Sequence, residues 1–339
     1  MSAGTPKGGT AAAPSDHPDH PDHPDHPDHP DHPDHPDHPD HGGHHASTAV
    51  AQFARHRTLL FTVAYEITAS VADAEDVVQE TYLRWAQAAE QPGGIRQPRA
   101  YLVQIATRQA LNRLRSRARQ REDYVGPWLP EPLLTAPDVA DDVVLAESVS
   151  MAMMLVVENL SPDERAVFLL REVFGFGHDE IAAAVGKSPA AVRQIAHRAR
   201  SHVQSRRPGL PGGHADTVQV VERFMAATST GDLQGLMDVL APDVVLLSDG
   251  GGKVNAARRP VITADKVARM LVGLGVKATG TWRLQPAMVN GRFGALVFVD
   301  GILHTVGSLE VQDGLVSTVY LVRNPDKLGG VAATWPLQR

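Results

Sequence analysis

The sequence predicts a multidomain protein: two all-α helical domains, the second carrying a helix-turn-helix, followed by an α+β domain with a concave sheet. Three observations carry this. Apolar residues recur at helical spacing over residues 47–120 and again from about residue 141 to 205. Asn290-Gly291, Asp300-Gly301 and Asp313-Gly314 separate four apolar segments between residues 281 and 322, the pattern of an antiparallel meander. Pro- and Gly-rich breaks at 122–137 and 208–213 mark the joints. At 339 residues the chain suits about two ordinary cores plus a tail.

The tail comes first. Residues 1–45 hold eleven of the seventeen His, ten of the twenty-five Pro and nine Asp, too few apolar groups for a core. From His17 to His41 the unit His-Pro-Asp repeats with period three, and Pro at every third position excludes helix and sheet and favours polyproline II. Two readings of it stand: a solvated acidic spacer, or weak multi-site zinc or nickel binding where the segment bends. No defined metal site and no cofactor is expected. The tail also accounts for the formal charge of -7, because Lys7 against nine Asp gives -8 there and leaves the body near neutral.

The chain contains no Cys, which excludes disulfides, thiolate zinc sites and Cys nucleophiles. No run approaches the ~18 apolar residues of a membrane span and no signal-peptide stretch opens the chain, so it is read as soluble and cytoplasmic, without a membrane partner.

In the first helical domain, residues 46–121, Phe53, Leu59, Leu60, Val63, Ala64 and Ile67 form one stripe, and Ala74, Val77, Val78, Tyr82 and Trp85 form another. The opposite face of that second helix carries Asp73, Glu75, Asp76, Gln79 and Glu80. Between Arg96 and Arg121 stand eight Arg and no acid, interleaved with Tyr101 and aliphatic residues, an electrostatic footprint for phosphate. The linker over 122–140 is Pro-rich yet apolar at Tyr124, Val125, Trp128 and Leu129, and is expected to dock on a neighbouring domain.

The second helical domain, 141–207, opens with a helix predicted over 141–158. Ser161-Pro162-Asp163-Glu164 then supplies an N-cap, a first-turn Pro and a capping box. Ala182, Gly186, Val192 and Ile195 fall at offsets 0, 4, 10 and 13, where a helix-turn-helix needs a small residue, a turn Gly and two apolar anchors. The helix after Ser188-Pro189 turns Ala190, Arg193, Gln194, His197, Arg198 and Arg200 outward, and with Lys187 it suits the major groove, Arg and Gln reading base edges. After the linker at 208–213, residues 214–339 read as helices near 215–227, 232–240 and 264–274, then the meander.

On these motifs, ADAEDVVQETYLRW at 72–85, PRAYLVQIATRQALNRLRSRAR at 98–119 and LSPDERAVFLLREVFGFGHDEIAAAVGKSPAAVRQIAHRARSHV at 160–203, the chain resembles a sigma-70 family initiation factor of the extracytoplasmic-function type, reduced to regions 2 and 4. YVGPWLPEP at 124–132, DGGGK at 249–253 and NPDKL at 324–328 resemble the SigJ-like subgroup, which carries a fused C-terminal SnoaL-like domain, a cone of the nuclear-transport-factor-two-like superfamily.

The resemblance implies promoter-specific transcription initiation with RNA polymerase core and promoter DNA as partners, contacted at the β′ clamp helices and the β flap. Asp73, Glu75, Asp76, Gln79 and Glu80 would dock on the clamp helices. Arg96, Arg99, Tyr101, Arg108, Asn112, Arg113 and Arg115 would capture and melt the −10 element, while Lys187, Ser188, Ala190, Arg193, Gln194, His197, Arg198 and Arg200 would read the −35 element. Asn112 stands where family members commonly have Asp, which bears on the −10 preference.

In its subgroup the C-terminal domain stands in for a separate anti-sigma factor, so none is expected to be required. Trp128, the loop Asp249, Gly250, Gly251, Gly252 and Lys253, and the segment Asn324, Pro325, Asp326, Lys327 and Leu328 would be its contacts. A small-molecule ligand of the cone, or acid/base chemistry at Asp249, Asp300 or His304, are the other readings of that domain, although the chain as a whole is not expected to be an enzyme. The alternative for the whole chain is a stand-alone helix-turn-helix regulator fused to a small-molecule-binding or catalytic SnoaL-like domain.

Overall fold

The structure, a computed structural model, describes residues 41–89, 91, 95–136, 142–206, 214–277, 280–332 and 337–339. The His-Pro-Asp repeat up to residue 40, the 208–213 linker and part of the 91–98 connection lie outside the described residues.

Three long helices come first: α1 (His41–Thr68), α2 (Val71–Ala89) and α3 (Pro98–Glu122). Their apolar stripes meet, with Leu60, Val63, Ala64 and Ile67 of α1 fully buried beside Val77 and Trp85 of α2 and Leu102 and Ala106 of α3. The reading of one helix over 141–158 is corrected to two, α4 (Val143–Ser148) and α5 (Met151–Glu158). Ser150 is extended there and its hydroxyl accepts from Met153 N at 3.2 Å, so a capping residue restarts the helix. Helix α6 (Pro162–Phe168) begins with the capping box read from the sequence and passes into a π-type turn, Leu169–Val173. Helices α7 (His178–Val185) and α8 (Pro189–Gln204) follow. One hydrophobic core runs through both helical parts.

A buried polar knot ties α6 to α1. Arg165, 1% exposed, donates from Nε and Nη2 to the Glu66 carbonyl at 3.1 and 2.9 Å and from Nη1 to Glu158 at 2.7 Å. The Glu66 carboxyl accepts from Ser148 Oγ at 2.7 Å. Burial pushes it up to about 8, against the opposing pull of Ser148 and Arg165. A carboxyl whose folded value lies above its unfolded value of 4.5 binds a proton more tightly when folded. Its contribution is present below 4.5 and is lost as the pH rises toward about 8. Melts of the parent should therefore fall from about pH 5 to about pH 9, and Glu66→Gln should flatten that fall; parallel curves for the two chains would count against it.

The C-terminal part holds α9 (His214–Thr230), α10 (Leu233–Met237) and α11 (Ala264–Lys277) against one six-stranded sheet. Its strands are β1 (Leu240–Asp249), β2 (Val261–Ile262), β3 (Trp282–Val289), β4 (Arg292–Val299), β5 (Ile302–Gln312) and β6 (Leu315–Val322), in the order β2-β1-β6-β5-β4-β3. The predicted meander is β3 to β6, antiparallel throughout. The sequence reading missed β1, which pairs parallel with β6, Leu246 opposite Val319. Strand β1 thereby delivers Asp249 next to Val322, beside the segment that follows the last strand. Among the described residues no helix is long and apolar enough to cross a membrane.

Candidate nucleic-acid interface

Helix α8 owes its outward face to its inward one. Val192, Ile195, Ala196, Ala199 and Val203 are buried, which leaves Ala190, Arg193, Gln194, His197, Arg198 and Arg200 exposed. Gly186, at φ 71°, closes α7, and its N–H and that of Lys187 both reach the Ala182 carbonyl, at 2.9 and 3.1 Å. Ser188 caps α8 by accepting from Ala191 N at 3.2 Å. Lys187 pairs with Asp163 at 2.8 Å and Arg200 with Glu172 at 2.5 Å.

The second basic surface, on α3, is largely spoken for within the chain. Arg108 donates to the Ala183 carbonyl at 2.7 Å and the Ala184 carbonyl at 3.3 Å, and Gln104 to Ala183 at 3.1 Å. These are carbonyls of the last turn of α7, where a helix end attracts cations. Arg99 sits 4.2 Å over the Phe176 ring. Arg115 meets Asp163 at 2.7 Å. Burial alone would raise the Asp163 carboxyl, but the hydrogen bonds and charges of Lys187 and Arg115 outweigh it and hold it below its ordinary value. Arg96 and Asn112 are exposed, and Tyr101 is half-buried with its ring 6.3 Å from that of Trp85.

The acidic face of α2 needs correction. Asp73 is only 3% exposed and turns inward to Arg113 at 3.5 Å and Arg117 at 2.9 Å. Arg113, expected to face DNA, instead bridges Asp73, Asp76 at 2.9 Å and Glu80 at 2.5 Å. The physical reason is shared: opposite charges on neighbouring helices of one core find each other where no phosphate competes. Glu75, Asp76 and Gln79 remain exposed.

The linker, the Gly-rich loop and the segment after β6 meet at Asp249. Its carboxylate, wholly buried, accepts from Tyr124 Oη at 2.6 Å, Leu129 N at 2.9 Å and Gly251 N at 3.0 Å, and pairs with Lys327 Nζ at 2.8 Å. Lys327 also donates to the Leu129 carbonyl and lies 4.2 Å from the Trp128 ring and 4.8 Å from that of Tyr124. Burial, then the neighbouring Asp249 carboxylate, raises the Tyr124 hydroxyl above its ordinary value. Asn324 caps the turn Pro325–Lys327, accepting from Asp326 N at 3.1 Å and donating to Tyr124 Oη at 2.9 Å. A Cβ on Gly251, at φ 59°, would strike the Asn324 side chain, so any other residue there would force Asn324 out of place. Lys253 pairs with Asp326 at 2.5 Å, and Leu328 packs against the cluster around Leu129 and Tyr320.

A second knot was read from the sequence only as a turn. Asn290, at φ 53° and fully buried, donates from Nδ2 to Tyr65 Oη at 2.7 Å and the Val149 carbonyl at 2.8 Å, and accepts from Leu133 N at 2.9 Å. The tip of the β3–β4 hairpin is thus set into the helical part, with the Ala146 backbone 2.9 Å from where a Gly291 Cβ would lie. The signal was present in Asn290-Gly291, but not its burial.

Of the three acid/base candidates, Asp249 is the buried partner of Lys327, and the other two lie apart from it. Asp300 is exposed in the β4–β5 turn and accepts from Thr281 N at 2.9 Å. His304 faces a cavity beside Arg323, with Thr305 Oγ1 3.1 Å from its Nδ1 and Arg323 Nη2 3.5 Å from its Nε2; burial, then that Arg, lowers it.

The sigma-70 region 2 family matches residues 52–120 and the sigma-70 region 4 family matches residues 150–203. The ECF RNA polymerase sigma factor SigJ of Mycobacterium tuberculosis (strain ATCC 25618 / H37Rv) is 41% identical over 297 residues, 83% of this chain and 93% of the relative. The crystal structure of the Mycobacterium tuberculosis extracytoplasmic function sigma factor SigJ superposes with a TM-score of 0.67 at 38% identity, covering 84% of this chain and 99% of that one. The sigma factor RpoE of Bartonella quintana, solved in complex with the anti-sigma factor NepR, is 21% identical with a TM-score of 0.33, over 47% of this chain and 93% of that one. A region 2 match, a region 4 match and a relative alike over nearly its whole length agree: the chain belongs to the extracytoplasmic-function sigma factors of RNA polymerase.

Proposed function

We propose that this sigma factor works with residues 46–121, 141–207 and 214–339 as its three domains, and that the third regulates the first two by contact rather than by chemistry. Glu75, Asp76, Gln79 and Glu80 dock on the β′ clamp helices and the 141–207 domain meets the β flap. Helix α8 reads the −35 element through Arg193, Gln194, His197 and Arg198. Helix α3 presents Arg96, Arg99, Tyr101, Arg108, Asn112, Arg113 and Arg115 to the −10 element once their internal partners are released.

The observation that carries this reading is Arg108 on the last carbonyls of α7. Elements centred roughly 25 base pairs apart lie about 85 Å apart at ~3.4 Å per pair in duplex DNA, so helices in hydrogen-bond contact cannot read both. The chain must open, and an opening equilibrium is what a third domain bound to the interdomain linker can bias. The stand-alone regulator is not favoured, because it gives the exposed acids of α2 nothing to do.

Run-off transcription with core polymerase tests the proposal. Arg193→Ala and Arg198→Ala should each weaken promoter use by ~1–3 kcal/mol, selectively where a base is read and uniformly where a phosphate is touched. Asp76→Arg should abolish co-purification with core. Unchanged transcription in both α8 variants would show that the reading helix is misplaced.

A further inference from the structure

The concave face of the sheet does not close on its helices. Between them lies a cavity of about 380 Å³, within the ~300–1,000 Å³ range of small-molecule sites. Its walls follow from strand alternation: Ala295, Val297 and Val299 on β4 and Thr305, Gly307 and Leu309 on β5 point inward at every second position. Phe224 of α9 and Leu271 of α11 roof it, and Trp282 and Leu284 of β3 form its outer side.

Polar groups gather at one end. Arg323 is half-buried there, its guanidinium donating to the Asn255 carbonyl and facing His304 Nε2 at 3.5 Å. It forms no ion pair with any described residue, and burial is what shifts it down from its ordinary value. A guanidinium keeps its charge even so. His304, lowered by burial and by Arg323, adds no second cation at neutral pH. A desolvated cation without an anion is costly, and a planar guanidinium is shaped to take a carboxylate with two parallel hydrogen bonds.

We infer that the cone is a receptor site for an amphipathic monocarboxylic acid, its carboxylate held by Arg323 and its apolar body lying between Phe224, Leu271, Trp282 and Val297. Arg323 also lines the neighbouring cleft beneath the loop that carries Gly252, Lys253 and Asn255, across from Val125 of the linker. An incoming carboxylate competes with the Asn255 carbonyl for Arg323, whose neighbour Asn324 holds Tyr124. Binding is thereby coupled to the interdomain knot, a consequence that rests on the regulatory reading above, whereas the binding itself does not.

Calorimetry on the full chain, with decanoate, decan-1-ol and decyltrimethylammonium as probes, tests the site without polymerase. Decanoate should bind one per chain, decanol at least tenfold more weakly, and the ammonium not at all. Arg323→Leu should weaken decanoate at least tenfold while leaving decanol unchanged. Arg323→Lys should fall between, and Val297→Trp, which fills the cavity, should remove binding of both with an unchanged circular dichroism spectrum. Absence of decanoate binding to the parent at about 1 mM, equal affinity for decanoate and decanol, or equal decanoate affinity in Arg323→Leu would each overturn the inference. Any of these leaves the transcription role standing, while failure of the α8 and Asp76 variants to affect transcription would leave the site standing.

Discussion

Asn290→Ala is expected to unfold the junction between the helical and sheet parts at a cost on the order of 3–5 kcal/mol. The substitution strands two buried groups, the Val149 carbonyl and the Leu133 N–H, each worth ~1–3 kcal/mol when left without a partner, and takes from the Tyr65 hydroxyl the bond it accepts while leaving the one it donates to the Glu131 carbonyl. It also places Ala at φ 53°, which Asn tolerates better. Asp313→Ala is the control: Asp313 has nearly the same backbone, φ 52°, in the equivalent turn between β5 and β6, and is exposed. Denaturant unfolding should show a small loss for Asp313→Ala and a large one for Asn290→Ala. Comparable losses would mean that backbone strain, and not the buried network, sets the value of Asn290.

Lys327→Met is expected to be the other severe change, roughly 3–5 kcal/mol, because removing one partner of a buried pair leaves an uncompensated charge. Asp249 is fully buried and Lys327 nearly so. Tyr124, Leu129 and Gly251 would still donate to the carboxylate, but no cation would face it at that point. Amide exchange in residues 124–129 should rise. Adding Asp249→Asn to Lys327→Met removes the stranded charge and should recover much of the loss, giving a coupling well above the error of a double-mutant cycle. A double variant no more stable than Lys327→Met would show that packing against Trp128, and not the ion pair, is what Lys327 supplies.

The parts of this molecule that read well in the sequence are those set by local chemistry. The capping box at Ser161–Glu164, the Gly186 turn and the buried stripe of α8 depend on neighbours within a few residues, and all three are present as expected. The meander was legible for the same reason, since each hairpin carries its own Asn-Gly or Asp-Gly turn. Strand β1 was not, because its pairing with β6 lies some seventy residues away and Pro242 interrupts its apolar run.

The candidate site divides along the same line. Which residues of α8 face outward follows from helix period alone. Which partner a charged residue takes does not: Arg113 and Arg108 stand on the same helix, yet one turns to the carboxylates of α2 and the other to the carbonyls of α7. Asp73 read as surface because a carboxylate in a first helical turn usually is, and only the approach of α3 buries it. Asn290-Gly291 demands the same positive φ whether a turn tip points into water or into another domain.

The order in which the chain is made gives the two knots a further meaning. Every helix of the reading surfaces is complete at Gln204, whereas Asn290 and Lys327, which fasten the sheet to them, come much later. At roughly 5–20 residues per second the stretch between Gln204 and Lys327 takes on the order of ten seconds to appear. Ribosome-stalled chains long enough to bring Gln204 clear of the ribosome should capture core polymerase more readily than chains long enough to bring Lys327 clear of it. On the regulatory reading proposed above, a newborn molecule passes through an interval in which its readers exist and its restraint does not, so that the age of a chain would set how open it is.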